Sequence, residues 1–283
     1  MGSTADLIRI ASWNVRRRSD AWQILLDSGI DVALLQEAKP PPPGIAERVE
    51  VDPSPWATAG SSSKCPWRAA VARFSDRVRV RPWPLAAIAD AGPGELAVSR
   101  PGTLAVADAT LQSTGEVITL ASVYGTWEEP ITSTRSSWIY ADASIHRLIS
   151  DLSALVGRQR GHKIIVAGDL NVLRGYGEWG SPYWKARYDT VFGRMEALGL
   201  PFVGPRAPEG GRPPDPWPDE LPSDSTTVPT FRKAASRPET ASRQLDFVFA
   251  SGSLKDRLRV RALNAPEEWG PSDHCRILVE LRG

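Results

Sequence analysis

Several side chains able to hold a metal or move a proton stand where an apolar run of this sequence stops. Asn14 follows Ile10-Ala11-Ser12-Trp13, and Glu37 follows Leu34-Leu35-Gln36. Asp169 and Asn171 follow Ile164-Ile165-Val166-Ala167-Gly168. Asp246 lies in Gln244-Leu245-Asp246-Phe247-Val248, and Asp273-His274 precedes the run from Arg276 to Leu281. Taken singly, an Asp after a strand is usually a turn residue. So many in one chain exceed what turns need, and strand ends that share a rim can converge. Together they suit attack on a phosphate ester. A phosphodiester is an anion met by a weak nucleophile. Its hydrolysis needs charge neutralised at the non-bridging oxygens, an activated water and help for the leaving oxygen. A cation held by carboxylates, a base carboxylate and an imidazolium supply all three. Of the three histidines, His146 lies in an amphipathic pattern and His162 in a Gly-His-Lys turn, so both read as structural or solvated. His274 alone has a carboxylate beside it in sequence.

The elements that must position these groups are mostly strands. Leu7 to Trp13 alternates apolar and polar residues, and Val32 to Leu35 is a continuous apolar run of the kind a buried strand shows. Strands also fit Asp76–Arg81, Thr103–Leu111, Val117–Val123, Lys163–Ala167, Leu245–Ala250, Arg257–Arg261 and Arg276–Leu281. The arginines of Asp76–Arg81 and Arg257–Arg261 read as solvated faces. Asp20 as N-cap and Gly29 as stop bracket a short helix over Ala21–Leu26. Ile145 to Val156 has helical spacing between Asp142 and Gly157, and Val191 to Leu198 forms a further amphipathic helix closed by Gly199. Pro205–Pro222 reads as a surface loop. Few strand-to-strand steps contain a helix, which predicts antiparallel pairing with helices on the outer faces.

Composition bounds the rest. The 283 residues are 41 % hydrophobic and 24 % charged, with a formal net charge of +1. That excludes a non-specific basic coat for nucleic acid, so any grip must be a local patch. Two cysteines, Cys65 and Cys275, allow no disulfide framework. The first residues lack the pattern of a signal peptide and no apolar run is of bilayer length, so the expectation is a cytoplasmic protein that makes no membrane contact. Most of the eleven tryptophans read as packing residues, with Trp127, Trp179 and Trp184 as candidates for base stacking.

Six blocks carry a resemblance: Ser12-Trp13-Asn14-Val15, Leu35-Gln36-Glu37, Val123-Tyr124, Gly168-Asp169-Leu170-Asn171, Leu245-Asp246-Phe247-Val248 and Ser272-Asp273-His274-Cys275. In them the chain resembles the endonuclease/exonuclease/phosphatase superfamily, which includes exonuclease III, abasic-site endonucleases, deoxyribonuclease I, inositol-polyphosphate phosphatases and sphingomyelinases. The blocks span nearly the whole sequence in the family's order. The resemblance implies an α/β fold, a four-layered sandwich of two mainly antiparallel sheets with outer helices. It implies one catalytic domain over residues 1–283, with the active site at one rim. It implies a metal-dependent phosphodiesterase using magnesium, or manganese in its place. Glu37 would be the main ligand, with Asn14 and Asp273 near the metal. Asp169 matches the residue that orients or deprotonates the attacking water. Asn171 would donate to a phosphate oxygen or help place that water. His274, held by Asp246, would stabilise the pentacovalent phosphate, and Tyr124 matches a phosphate-contacting tyrosine.

The pattern departs from branches of the family in three places. Exonuclease III-like members carry an Asp where this chain has Arg16, whereas deoxyribonuclease I tolerates Arg there; Arg16 suits a substrate phosphate. Tyr124 replaces the His of the phosphoinositide, sphingomyelin and deoxyribonuclease I branches. The residues before Leu245 differ from the abasic pocket. A nuclease acting on DNA or RNA is therefore the leading expectation. Arg16, Arg17, Arg174 and Lys185 would form a basic groove interleaved with Tyr176, Trp179 and Trp184. Two alternatives stand beside it: a phosphatase or phosphodiesterase for small or lipid phosphate esters, and a non-catalytic nucleic-acid-binding or interaction protein on the same fold. Oligomeric state is not legible.

Overall fold

The computed structural model describes residues 7–56, 58, 67–127, 141–157 and 161–283; Cys65 and Trp138 lie outside them. In chain order the elements are β1 (Leu7–Asn14), α1 (Ala21–Asp27), β2 (Val32–Ala38), α2 (Pro43–Ala46), β3 (Glu50–Val51), β4 (Arg68–Arg73), β5 (Val78–Pro82), β6 (Leu85–Ala87), β7 (Leu96–Val98), β8 (Leu104–Leu111) and β9 (Val117–Tyr124). There follow α3 (Ala141–Gly157), β10 (Ile164–Asp169), α4 (Pro182–Ala197), β11 (Phe202–Gly204), β12 (Asp246–Ala250), β13 (Leu258–Ala262) and β14 (Ile277–Arg282).

Two six-stranded sheets result, ordered β13-β14-β1-β2-β4-β3 and β11-β12-β10-β9-β8-β5, while β6 and β7 form a separate pair. Period-two alternation explains the layers. In β1, Ile8 and Ile10 face the second sheet, whereas Ala11 and Trp13 face α1 with its Trp22 and Leu25. In β10, Ile165 and Ala167 join the core between the sheets, and Ile164 and Val166 pack under α3 and α4. A strand covered on both faces must be apolar throughout, as β10 is. Each fully buried Leu, Ile or Phe of these clusters contributes about 1.5–3 kcal/mol. The order is thus helix, sheet, sheet, helix, the four-layered sandwich expected.

Within each large sheet one neighbouring pair runs parallel, β1 with β2 and β9 with β10. The other pairings are antiparallel. A parallel pair needs a crossover, and α1 and α3 are those crossovers. The helices read from the sequence therefore connect strands as well as cover them. This parallel geometry is what builds the site. In register, Asn14 lies beside Gln36, and Asp169 beside Tyr124. Each sheet thus delivers two strand C-termini side by side at one rim. Antiparallel β12 begins at the same rim, with Asp246 opposite Asp169.

Three local readings need correction. Helix α4 starts at Pro182, well before Val191, because Pro suits a first helical position and Tyr183 to Tyr188 continue the turn. Asp142 lies inside the first turn of α3 and pairs with Arg187 of α4 at 2.7 Å. Asp20 makes no capping bond, since Arg18 takes its carboxylate at 2.6 Å. The exposed Arg79 and Arg81 of β5, by contrast, stand on the solvent face as expected.

Candidate active site

At the rim the side chains form one connected network. The Tyr124 hydroxyl donates to Glu37 Oε1 at 2.9 Å. The Asn14 amide Nδ2 donates to the same Oε1 at 3.3 Å and to Asp169 Oδ2 at 2.9 Å. Asp169 Oδ2 lies 3.7 Å from His274 Nε2, and His274 Nδ1 lies 2.8 Å from Asp246 Oδ2. Asn14, Asp169, Asp246 and His274 are all buried. Buried polar groups hold their places only when hydrogen-bonded, so the network fixes itself.

Backbone and neighbouring polar groups aim the pieces. Glu37 stands in a register shift between Leu35 and Ala38, with a left-handed φ of 47°. The shift turns its carboxylate out of the sheet's alternation. Gln36 beneath it donates across the inter-sheet core to Ser122 Oγ at 3.0 Å, and Ser122 returns a bond to Leu35 O at 2.7 Å. Ser272 Oγ donates to Asn14 O at 2.7 Å and accepts the His274 amide at 3.2 Å. Trp13 Nε1 donates to His274 O at 2.9 Å. Thr230 Oγ1 accepts the amides of Leu245 and Asp246 at 3.0 and 3.1 Å, and the Phe231 ring lies 5.0 Å from the imidazole. Sequence reasoning missed Thr230, Phe231, Gln36 and Ser122 as supports. For Thr230 and Ser122 the only signal was a small polar residue between apolar neighbours.

Electrostatics separate the roles. Burial alone would lower the His274 pKa, but the facing carboxylates of Asp246 and Asp169 and the bond to Asp246 hold it up to about 10. Burial raises Asp169 to about 7, with His274 pulling the other way and Asp246 adding to the rise. Tyr124, buried and beside Glu37, is pushed well above its ordinary value and stays a neutral donor.

Two places could accept a cation. Asp169, Asp246 and His274 offer ligand atoms within 4.8 Å of one another. That cluster already contains its cation, the imidazolium, and a ligand histidine must be neutral. Glu37, bonded to Asn14, and Asp273, paired with Arg16, suit a hard divalent cation better. Both offer hard carboxylate oxygens. Each meets a guanidinium in a loose ion pair, Glu37 Oε2 with Arg17 at 3.6 Å and Asp273 Oδ2 with Arg16 at 3.2 Å. Asn14 Oδ1 accepts the Arg16 amide at 2.9 Å, while its Nδ2 donates to both Glu37 and Asp169, so Asn14 links the acidic pocket to Asp169 as well as flanking it.

Residues 11–274 match the Endonuclease/Exonuclease/phosphatase family. The chain belongs to that family. Its members hydrolyse phosphoesters, the reaction the network suits. No curated protein matches the chain. Among solved structures, it is similar to the endonuclease domain of TRAS1, a telomere-specific non-LTR retrotransposon, at 19 % identity and a TM-score of 0.63, covering 98 % of each chain. It is similar to the AP endonuclease LMAP from Leishmania major, at 15 % identity and 0.61, covering 100 % of this chain and 90 % of that one. It is also similar to the Neisseria 3′ phosphatase NExo bound to a product DNA hairpin, at 20 % identity and 0.60, covering 98 % and 100 %. These likenesses establish the fold.

Measured against the family expectations, the rim unites Asn14, Arg16, Glu37, Tyr124, Asp169, Asn171, Asp246, Asp273 and His274. Two of these use their donors inward. Asn171 gives its backbone amide to Asp169 Oδ1 at 2.9 Å, and its side chain to Gly125 O at 3.0 Å and Asp169 Oδ2 at 3.2 Å. It holds the carboxylate in place. Tyr124 likewise serves Glu37. Of the three rings expected to interleave a groove, Tyr176, Trp179 and Trp184, two turn inward. Tyr176 is 4 % exposed, and Trp184 packs on the core beneath α4, stacked with Tyr188. Trp179 is 78 % exposed and Trp127 39 %. Lys185 pairs with Asp189 at 2.6 Å on α4. Arg174 leaves the rim altogether: its guanidinium lies 4.5 Å over Phe202 and donates to Thr226 Oγ1 at 2.8 Å. No helix among the described residues is long and apolar enough to cross a membrane.

Proposed function

We propose that the whole chain is one catalytic domain, a metal-dependent phosphodiesterase whose substrate is nucleic acid. The observation that carries this reading is the continuous network from Tyr124 through Glu37, Asn14 and Asp169 to His274 and Asp246. It joins the carboxylates of Glu37 and Asp169 to the buried imidazole of His274, which supports a reading with an acidic pocket, a base and a cation side by side. Glu37 and Asp273 would hold magnesium, which when bound supplies positive charge at a phosphate oxygen. Asp169, with a pKa near neutrality, takes the proton of the attacking water. Asn14 and Asn171 orient its carboxylate for that task. His274, kept protonated by Asp246, donates to a phosphate oxygen as negative charge builds there. Arg16 and Arg17 have half-exposed side chains beside the acidic pocket, where they can take a second phosphate oxygen. The exposed Trp179 and Trp127 would stack bases of a strand lying over the rim.

Plasmid DNA, RNA and a small aryl phosphodiester, each with magnesium and then with excess chelator, test the reading. Cleavage of a polynucleotide in magnesium alone is expected. Cleavage of only the small or a lipid ester would replace the substrate class. Full activity in chelator would remove the metal, and no activity on any substrate would leave a binding protein.

A further inference from the structure

The cleft that takes Arg174 away from the rim has chemistry of its own. It lies between α4 and β11, with a volume of about 360 Å³. Arg174, Arg206 and Lys255 line it. Both guanidiniums lie 4.5 Å from the Phe202 ring, so two like charges share one aromatic platform. Among the described residues neither they nor Lys255 pair with a carboxylate. Arg206 donates to the Phe202 carbonyl at 3.0 Å, and Arg174 Nε is buried without any partner. Two acids also line the cleft, but Asp189 is taken by Lys185 at 2.6 Å. Glu196 alone remains against three cations. Burial, and then the charge of Arg206, push Arg174 down to about 10. Close, partly dry like charges are costly unless an anion joins them.

The cleft is distinct from the active site. Pro201 lines it and accepts the Ala250 amide at 3.2 Å, at the end of β12 away from Asp246. Along that strand the two ends are about 13 Å apart. Arg174 follows Asn171 by three residues, and the buried Val172 and Leu173 separate it from the rim.

We infer that this cleft binds the phosphate group of a nucleotide, held between the guanidiniums of Arg174 and Arg206 with Lys255 beside them. Guanidinium forks match phosphate oxygens two at a time. Two sources present that group: a free nucleotide, or the strand of a polynucleotide that leaves the rim, for which ~13 Å is about four nucleotides of rise. Only the second source rests on the nuclease reading above.

Calorimetric titration of the full chain with adenosine monophosphate in chelator tests the site without any catalysis. Wild type should bind saturably. The R206Q/K255Q protein, checked by its melting curve, should bind at least tenfold more weakly, R206K, which keeps the charge and loses the fork, should fall between the two, and H274A should bind in the cleft like wild type. Equal binding by wild type and R206Q/K255Q, no saturable binding at all, or binding lost only in H274A would overturn the proposal. If R206Q/K255Q is unstable, the single R206Q and K255Q proteins carry the comparison, each expected to bind several-fold more weakly than wild type. Once binding is shown to depend on these residues, cleavage assigns the source. A raised KM on a 20-nucleotide strand, with an aryl phosphodiester unaffected, assigns it to the substrate strand. Unchanged KM on both assigns it to a free nucleotide.

Discussion

Asp246→Asn keeps the shape of the side chain and removes its charge, so it isolates what the carboxylate does to His274. The imidazole stands at about 10 against an ordinary 6.5. Burial works against that rise, and Asp246 is the largest single cause of it. If the value returned to about 6.5, the protonated fraction at pH 8 would fall from nearly all to about 3 %, a loss of ~30-fold. Asp169 remains 3.7 Å away and preserves part of the charge, so a loss of about ten- to thirtyfold in kcat at pH 8 is expected. The wild-type profile should rise through about 7 as Asp169 ionises and fall near 10 as His274 loses its proton. In the variant both limbs move to lower pH, because Asp246 raises Asp169 as well. The loss should therefore shrink to a few-fold near pH 6.5. Stability follows the same sign. A histidine with a raised folded pKa contributes stability that is full below 6.5 and is lost as pH rises through about 10. The assay is kcat on an aryl phosphodiester between pH 5.5 and 10.5 with magnesium saturating. A ratio of variant to wild type that stays constant across that range would refute the reasoning, since the carboxylate would then act by shape alone.

Glu37→Gln should keep its acceptor bonds from Tyr124 and Asn14 and the same melting point, while activity in magnesium falls to the level seen in chelator; retained activity would remove Glu37 as metal ligand. Thr230→Val leaves the amides of Leu245 and Asp246 without their acceptor, so unfolding in urea should show a loss of about 2–3 kcal/mol, with kcat reduced through a displaced Asp246. Glu116→Gln removes the partner of Arg257, whose hydrogen bond, with help from Lys163 and against burial, lowers Glu116 from 4.5 to about 2; after solvent screening the loss should be about 1–2 kcal/mol at pH 7 and should close as pH falls from 4.5 towards 2. Asp52→Ala strands the buried Arg68 guanidinium, which the Asp52 carboxylate holds at 2.7 Å, and should cost about 3–5 kcal/mol in the same measurement with kcat unchanged.

Much of the site was legible because it is built from strand ends, and apolar runs mark where strands end. The block order then placed Asn14, Glu37, Asp169, Asp246 and His274 without any coordinates. What escaped depends on contacts far apart in sequence. Thr230 supports Asp246 across the gap from one loop to another strand, and no local pattern announces such a bond. The parallel pairing is hidden because a helix such as that over Ala21 or Ile145 reads equally as the cover of a sheet and as the crossover between parallel strands. Arg174 follows Asn171 by only three residues, yet closeness in sequence does not carry its guanidinium to the rim. Val172 and Leu173 are buried between them, and the chain dives past the core before Arg174 emerges at the far cleft. Tyr176 and Trp184 read as surface rings in the sequence, but α4 begins early and turns Trp184 inward.

The backbone carries a further kind of information that residue type conceals. Five non-glycine residues among those described have left-handed φ values, and four of them, Arg16, Arg17, Glu37 and Asn171, stand at the rim. Each such conformation costs on the order of 1–2 kcal/mol, and glycine would relieve it at any one of them. None of the four is glycine, because each side chain has a task there. Glu37 turns its carboxylate to Tyr124 and Asn14. Asn171 holds both oxygens of Asp169, while Arg16 and Arg17 reach the acids of the pocket. The strained segments also fasten one another: the Arg17 amide donates to Glu37 O at 2.9 Å, and the Arg16 amide to Asn14 Oδ1. Strain persists where surrounding contacts over-determine the conformation. Here those contacts are the two parallel strand pairs and the bonds that cross between the sheets. The rigid sandwich and the strained rim are therefore parts of one device, in which sheet pairing supplies the stability that lets four unfavourable backbones hold charged groups in place.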